Sequence, residues 1–86
     1  MDAGYWVYVL KSEKTGRFYT GSCEDVDARL RRHNAGDSPA TRHGVPWKIV
    51  YRESHPSRSE ATKRELFLKT GAGRDELKRT LAANAG

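Results

Sequence analysis

Tyr5-Trp6-Val7-Tyr8-Val9-Leu10 and, a little further on, Arg17-Phe18-Tyr19-Thr20-Gly21 decide the fold. Both runs are dense in aromatic and β-branched side chains, which suit a pleated, half-buried surface. Between them, Ser12-Glu13-Lys14-Thr15-Gly16 has the composition of a turn. The two runs therefore form an antiparallel hairpin, and Gly21 ends its second strand. A hairpin closing near residues 13 and 14 sets Tyr8 opposite Tyr19, both on one face. Taken alone, such a pair simply stabilises a thin sheet.

Outward from the hairpin, Ser22 with Asp25 three positions later has the form of a capping box. The helix that follows carries Val26 and Leu30, and Asn34 and Gly36 stop it. Residues 37–46 hold Pro39, Gly44 and Pro46 and form a loop. Trp47-Lys48-Ile49-Val50-Tyr51 alternates as a third strand, and Pro56 breaks the chain again. Ser57 and Glu60 make a second capping box, opening a helix from Arg58 to Thr70 that Gly71-Ala72-Gly73 ends. Arg74 to Ala83 forms a last short helix with Leu77 and Leu81 inward. The order β-β-α-β-α-α describes an α+β domain, a small three-stranded antiparallel sheet flanked by helices.

The chain has 86 residues and weighs 9.7 kDa, the size of one domain spanning 1–86. Aromatics at 9% argue against disorder, although hydrophobic residues make up only 36%. No apolar run approaches the roughly 20 residues of a transmembrane helix. Met1-Asp2-Ala3-Gly4-Tyr5 lacks the basic and apolar segments of a secretory leader. Cys23 is the sole cysteine, read as a small semi-buried residue. A fold without staples fits a reducing cytoplasm. His33, His43 and His55 are scattered and form no metal cluster. The formal charge is +5, and most of that excess is concentrated. Residues 23–27 carry Glu24, Asp25 and Asp27, whereas residues 28–48 carry Arg29, Arg31, Arg32, Arg42 and Lys48 against Asp37 alone. A basic stretch of this kind is either a solvated face or a contact for a polyanion.

Three features sit oddly with a purely structural role. At about 100° per residue, Leu30 and His33 fall within roughly 40° of Val26, and Arg29 about 60° away. An imidazole and a guanidinium thus share the inward stripe of the first helix, while Arg31 and Arg32 point away. By the same geometry Glu65 lies about 40° from Ala61 on the inward face of the second helix. A carboxylate there needs a partner, either an arginine or a metal ion. Two phenols, a guanidinium, an imidazole and a carboxylate converging from different elements are the parts that phosphodiester hydrolysis uses. Arg31, Arg32, Arg42 and Lys48 would supply contacts to a nucleic-acid backbone.

Trp6-Val7-Tyr8, ten intervening residues, and Tyr19-Thr20-Gly21 resemble the paired motif of the GIY-YIG nucleases. Arg29 stands ten positions after Tyr19, and His33 one turn later. Glu65, in Arg58-Ser59-Glu60-Ala61-Thr62-Lys63-Arg64-Glu65, looks like the family's metal-binding glutamate, and Lys69-Thr70-Gly71-Ala72-Gly73-Arg74 is similar to the tail of small stand-alone bacterial members. The likeness covers nearly the whole chain. Trp6-Val7 replaces Gly-Ile, Thr20 replaces Ile, and Ser22 or a neighbour stands where some relatives have a basic residue.

The resemblance implies one divalent cation, Mg²⁺ or Mn²⁺, and hydrolytic cleavage of DNA. On the matching positions, Tyr8 or Tyr19 would deprotonate or orient the attacking water, with nearby positive charge lowering the phenol's pKa. Arg29 would stabilise the scissile phosphate, His33 would position or relay a proton, and Glu65 would ligate the metal. A chain this short has no separate DNA-binding domain. Specificity must then come from its own surface, from a partner protein, or from branched or single-stranded DNA of the kind met in repair and processing. The competing reading is a non-catalytic nucleic-acid or protein-interaction module on the same scaffold. Glu76-Leu77-Lys78 also spells the E-x-K of another nuclease class, but no strand acid precedes it.

Overall fold

The computed structural model describes residues 4–85. Met1-Asp2-Ala3, on which the leader expectation partly rests, lie outside the described residues. The elements run β1 (Tyr5–Ser12), β2 (Phe18–Cys23), α1 (Val26–Asn34), β3 (Trp47–His55), α2 (Arg58–Leu68) and α3 (Gly71–Ala85), with a 3₁₀ turn at Arg42–Gly44. The expected α+β architecture is present: one antiparallel sheet in the order β2-β1-β3, with helices on both sides.

Because β1 is central, its alternating side chains feed two cores. Val7 and Val9 point to one face and pack with Ala61, Leu68 and Leu77 of α2 and α3. Tyr8 and Leu10 point to the other and pack with Cys23, Val26 and Trp47 on the α1 side. Period-two alternation in a strand buried on both faces produces this division. A bulge between Val9 and Leu10 inserts Val50 into β3, so the neighbours Val50 and Tyr51 both reach the α2/α3 core.

The hairpin register differs from the expected one. Tyr8 pairs with Gly21 and Leu10 with Tyr19. The ladder closes at Ser12 and Arg17, where Ser12 N donates to Arg17 O at 2.8 Å. The buried Ser12 hydroxyl accepts from Lys14 N and Thr15 N, fixing a four-residue loop that ends at Gly16 with φ of 78°. That loop shifts the pairing by two residues. Parity is kept, so the tyrosines still share a face, as diagonal rather than direct neighbours.

Other boundaries move for local reasons. β2 continues through Ser22 to Cys23, and the cap of α1 is Asp25, whose carboxylate accepts from Ala28 N at 3.0 Å. Ser57 caps α2 as expected, accepting from Glu60 N. Gly71-Ala72-Gly73 begins α3 rather than ending α2. Thr70 Oγ1 accepts from Gly73 N, an N-terminal cap, and a Cβ at position 73 would lie 1.9 Å from Phe67 O. That glycine allows two helices to cross backbone against backbone.

Candidate active site

Tyr8 is carried on the central strand to the α1 face and is only 1% exposed. Its ring lies directly across β2: a Cβ at Gly21 would meet the phenolic oxygen at 2.6 Å. Only glycine fits beneath it. The phenol lies 3.1 Å from His33 Nε2, and His33 Nδ1 lies 2.7 Å from Thr41 Oγ1. His33 is 2% exposed, so both ring nitrogens are satisfied inside the protein. Thr41 also binds Trp47 through its carbonyl, which accepts from the indole Nε1 at 2.8 Å. Asn34 at the end of α1 clamps the main chain of Trp47 in both directions, at 2.7 and 3.0 Å. The position of α1 over the sheet is set by these polar ties as much as by Val26 and Leu30.

Burial pushes the Tyr8 phenol well above its ordinary pKa, Tyr19 adds to the rise, and the nearby Arg29 guanidinium opposes it. This corrects the expectation that positive charge lowers the phenol at position 8: desolvation outweighs the arginine. Burial likewise lowers the pKa of His33, helped by Arg29 and Arg32, and keeps the imidazole neutral. Burial also raises the Cys23 thiol, in keeping with its packing role.

Tyr19 is the accessible phenol of the pair. Its ring centroid lies 6.4 Å from that of Tyr8 and 5.0 Å from that of His33. With Arg29, Arg32 and His33 it lines a cleft between β2 and α1. On the other side of β2, Glu65 of α2 is 19% exposed and has both oxygens engaged. Ser22 Oγ donates to Oε1 at 2.6 Å, and Lys69 Nζ donates to Oε2 at 2.7 Å. The same ammonium lies 6.0 Å from the centre of the Tyr19 ring. Tyr8, Tyr19, Arg29 and His33 are thus gathered on the α1 face, whereas Glu65 lies on the other side of β2 and is linked to Tyr19 only through Lys69.

Among the basic residues named from sequence, Arg32 lines the Tyr19 cleft and Arg42 is exposed in the turn after Thr41. Arg31 is exposed on α1. Lys48 lies apart, opposite Lys11 and beside Leu81 on the α3 side of the sheet. Thr41, Lys69 and the bond from Ser22 were not foreseen. Lys69 could have been, since it follows Glu65 by four positions in a helix. Thr41 left no local signal.

Glu65 is a lone carboxylate, and no group of three His, Cys, Asp or Glu residues suited to a metal occurs among the described residues. Zinc-type coordination does not fit such a donor set. A hard cation that keeps most of its waters does fit, because it needs only one or two carboxylates and substrate oxygens. The ammonium held at Oε2 shows that the position already favours positive charge.

A thin sheet thus sets paired phenols against an arginine- and histidine-bearing helix, with an acid on the other side of β2. Residues 4–78 match the GIY-YIG catalytic domain, and the chain belongs to that family of nucleases. It is similar to the UPF0213 protein SERP0126 of Staphylococcus epidermidis, 39% identical over 75 residues, covering 86% of this chain and 90% of that one. It is also similar to the UPF0213 protein SAV0488 of Staphylococcus aureus, 41% identical over 71 residues, with 81% and 84% covered. The solution structure of the UPF0213 protein BH0048 from Bacillus halodurans superposes with a TM-score of 0.55 at 30% identity, covering 90% of this chain and 84% of that one. The family's nucleases generally depend on a divalent metal and act on nucleic acid. No helix among the described residues is long and apolar enough to cross a membrane.

Proposed function

We propose that the chain is a divalent-metal-dependent DNA endonuclease, acting as one domain in the cytoplasm. One observation carries the reading: the accessible Tyr19 stands between two guanidiniums, Arg29 and Arg32, and the Glu65–Lys69 pair.

A phosphate entering this cleft meets Arg29 first, whose planar fork suits two of its oxygens. Arg29 then offsets the charge that gathers on those oxygens as the fifth bond forms. Arg32 lies one turn further along the same helix and holds the neighbouring backbone. The hydroxyl of Tyr19 orients the attacking water. Tyr8 does not meet solvent; it fixes His33 through their mutual bond, and Thr41 holds the other ring nitrogen. His33, neutral and with both ring nitrogens engaged, positions the Tyr19 ring that packs against it. Glu65 would hold Mg²⁺ or Mn²⁺, which when bound supplies Lewis acidity at a phosphate oxygen. Ser22 orients that carboxylate. Arg31, Arg42 and Lys48 would add backbone contacts, Lys48 from the far side of the sheet.

The test is cleavage of double-stranded, single-stranded and branched DNA with Mg²⁺ or Mn²⁺. Arg29→Ala and Glu65→Gln should each reduce the rate by roughly 10²–10³-fold, with unchanged circular dichroism. Full cleavage by both variants overturns the assignment. Salt-dependent binding without turnover by the parent protein would make the scaffold a binding module instead.

A further inference from the structure

β2 lies at the edge of the sheet, and outside its pairing with β1 its backbone finds no hydrogen-bond partner among the described residues. A groove of about 650 Å³ runs along this edge, closed on its other side by the end of α2 and by α3. Four consecutive residues, 17–20, border it. Successive side chains of a strand point to opposite faces, so the backbone edge itself forms this wall.

The floor is aliphatic, made by Leu68, Leu77 and Leu81, and Phe18 stands beside it 53% exposed. The rim carries Arg17, Lys69, Arg74 and Lys78, with no carboxylate lining the groove among the described residues. Of these four cations only Lys69 forms a salt bridge with a carboxylate among the described residues.

The geometry points to a docking site for an extended acidic peptide segment of a partner protein, added alongside β2 as a fourth strand. Main-chain bonds to the open edge supply register and affinity. Alternate apolar side chains of the peptide descend onto Leu68, Leu77 and Leu81. Asp or Glu residues flanking these on the same face meet Arg74 and Lys78 at the rim, with Arg17 at the end of β2, which gives attraction and selectivity. A nucleic-acid strand suits the groove less well, because unpaired bases stack on aromatic platforms and this floor is aliphatic. A second copy of the chain brings another +5 charge, which opposes close approach. The inference goes beyond cleavage and holds whether or not the site cuts DNA. Tyr19 and Lys69 border both the groove and the candidate active site, so a docked segment would lie next to the reacting phenol. Such a partner would deliver this small domain to its substrate.

The experiment is a nuclear magnetic resonance titration of the ¹⁵N-labelled full chain with the synthetic peptide Glu-Ser-Val-Ser-Val-Ser-Glu, whose Val and Glu side chains share one face of an extended strand. Saturable shifts confined to residues 17–20 and α3 are expected. The double variant Arg74→Glu/Lys78→Glu, altered at two exposed helical positions, should bind at least about tenfold more weakly. The same peptide with Lys in place of Glu should not bind. The proposal falls if no saturable shift appears, if the charge-reversed variant binds equally well, or if the shifts centre on Arg29 and Arg32. It also falls if oligothymidylate of equal charge displaces the peptide from the groove at lower concentration. A dimer in sedimentation that occupies the same residues would make a second copy the occupant and equally overturn it.

Discussion

The two faces of one strand do different work. Val7 and Val9 of β1 meet Ala61, Leu68 and Leu77 in an aliphatic core, with the polar cluster of Tyr51, Glu53 and Arg64 at its border. Tyr8, between them, meets His33, which meets Thr41, in a buried chain of polar groups. The first face gains stability from apolar area removed from water. The second gives up part of that gain to hold rings in fixed orientation, since each buried polar atom demands a partner. In a sheet this small, alternation lets a single strand serve both ends. Stability and chemistry can therefore be disturbed separately.

The largest effect expected is on the aliphatic face. Leu68→Ala should cost about 3 kcal/mol, the transfer free energy of the lost methyls plus that of the cavity. Urea unfolding would measure it. At a temperature where the variant is folded, its His33 imidazole should titrate as in the parent; a shifted titration would show that the faces are not separable.

Gly21→Ala strikes the polar face. The new methyl collides with a rigid ring rather than a flexible chain end, so a loss of about 2 kcal/mol is expected. DNA cleavage by the folded fraction should fall by more than tenfold, because Tyr8 and His33 move together. A variant as active as the parent would show that the position of Tyr8 is irrelevant to turnover.

The smallest effect is on pH dependence, and it sharpens the contrast. The folded His33 has a pKa below its ordinary 6.5. Above that value neither state is protonated there. As pH falls through it, the unfolded chain binds a proton first, so stability declines until the folded imidazole also titrates. The Tyr8 pKa is raised above its ordinary 10.0. As pH rises past that value, the unfolded chain loses its proton first, and stability declines on the alkaline side. On the aliphatic face, burial alone would raise the carboxyl of Glu53, but hydrogen bonds from Tyr51, His55 and Arg64 outweigh it and hold the pKa below 4.5. The stability from Glu53 is present above pH 4.5 and lost as pH falls through its lower folded value. Urea midpoints across pH should show three windows. His33→Asn should remove the one just below neutrality, worth at most about 1.4 kcal/mol per pH unit for one proton. Tyr8→Phe should remove the alkaline one. A near-neutral slope that survives His33→Asn would assign it elsewhere.

The sheet, the helices, the cap at Ser57 and the shared face of Tyr8 and Tyr19 were legible because each rests on local pattern. Alternation, Ser57 before Arg58, and the spacing of Val26, Leu30 and His33 are properties of neighbours in sequence. The register was not legible, because it depends on how Ser12 folds the loop back on itself. Thr70-Gly71-Ala72-Gly73 misled for a related reason. Two glycines read as a stop, whereas the need for one of them is a helix crossing that only tertiary structure creates. At the site, Arg29, His33 and Glu65 stood out as polar groups on apolar stripes. Thr41 did not, since a threonine in a loop looks like any other until an imidazole is placed beside it. Desolvation of Tyr8 was equally hidden: the position of the arginine could be guessed, but the depth of the ring could not.

The clamp between Asn34 and Trp47 has a consequence for how the chain can be altered. A side-chain amide bonded to both main-chain groups of Trp47 joins the end of a helix to the start of a strand thirteen residues away. Within the intervening segment Thr41 adds a second tie, to His33 of the same helix. Extra residues spliced in at the Asp37–Ser38 step, between the bond from Asp37 N to Arg32 O and those that Ser38 O accepts from Thr41 N and Arg42 N, would lengthen a tether whose two ends are already fastened, at a cost that grows only logarithmically with length. That step is the natural point for grafting a recognition element onto the domain.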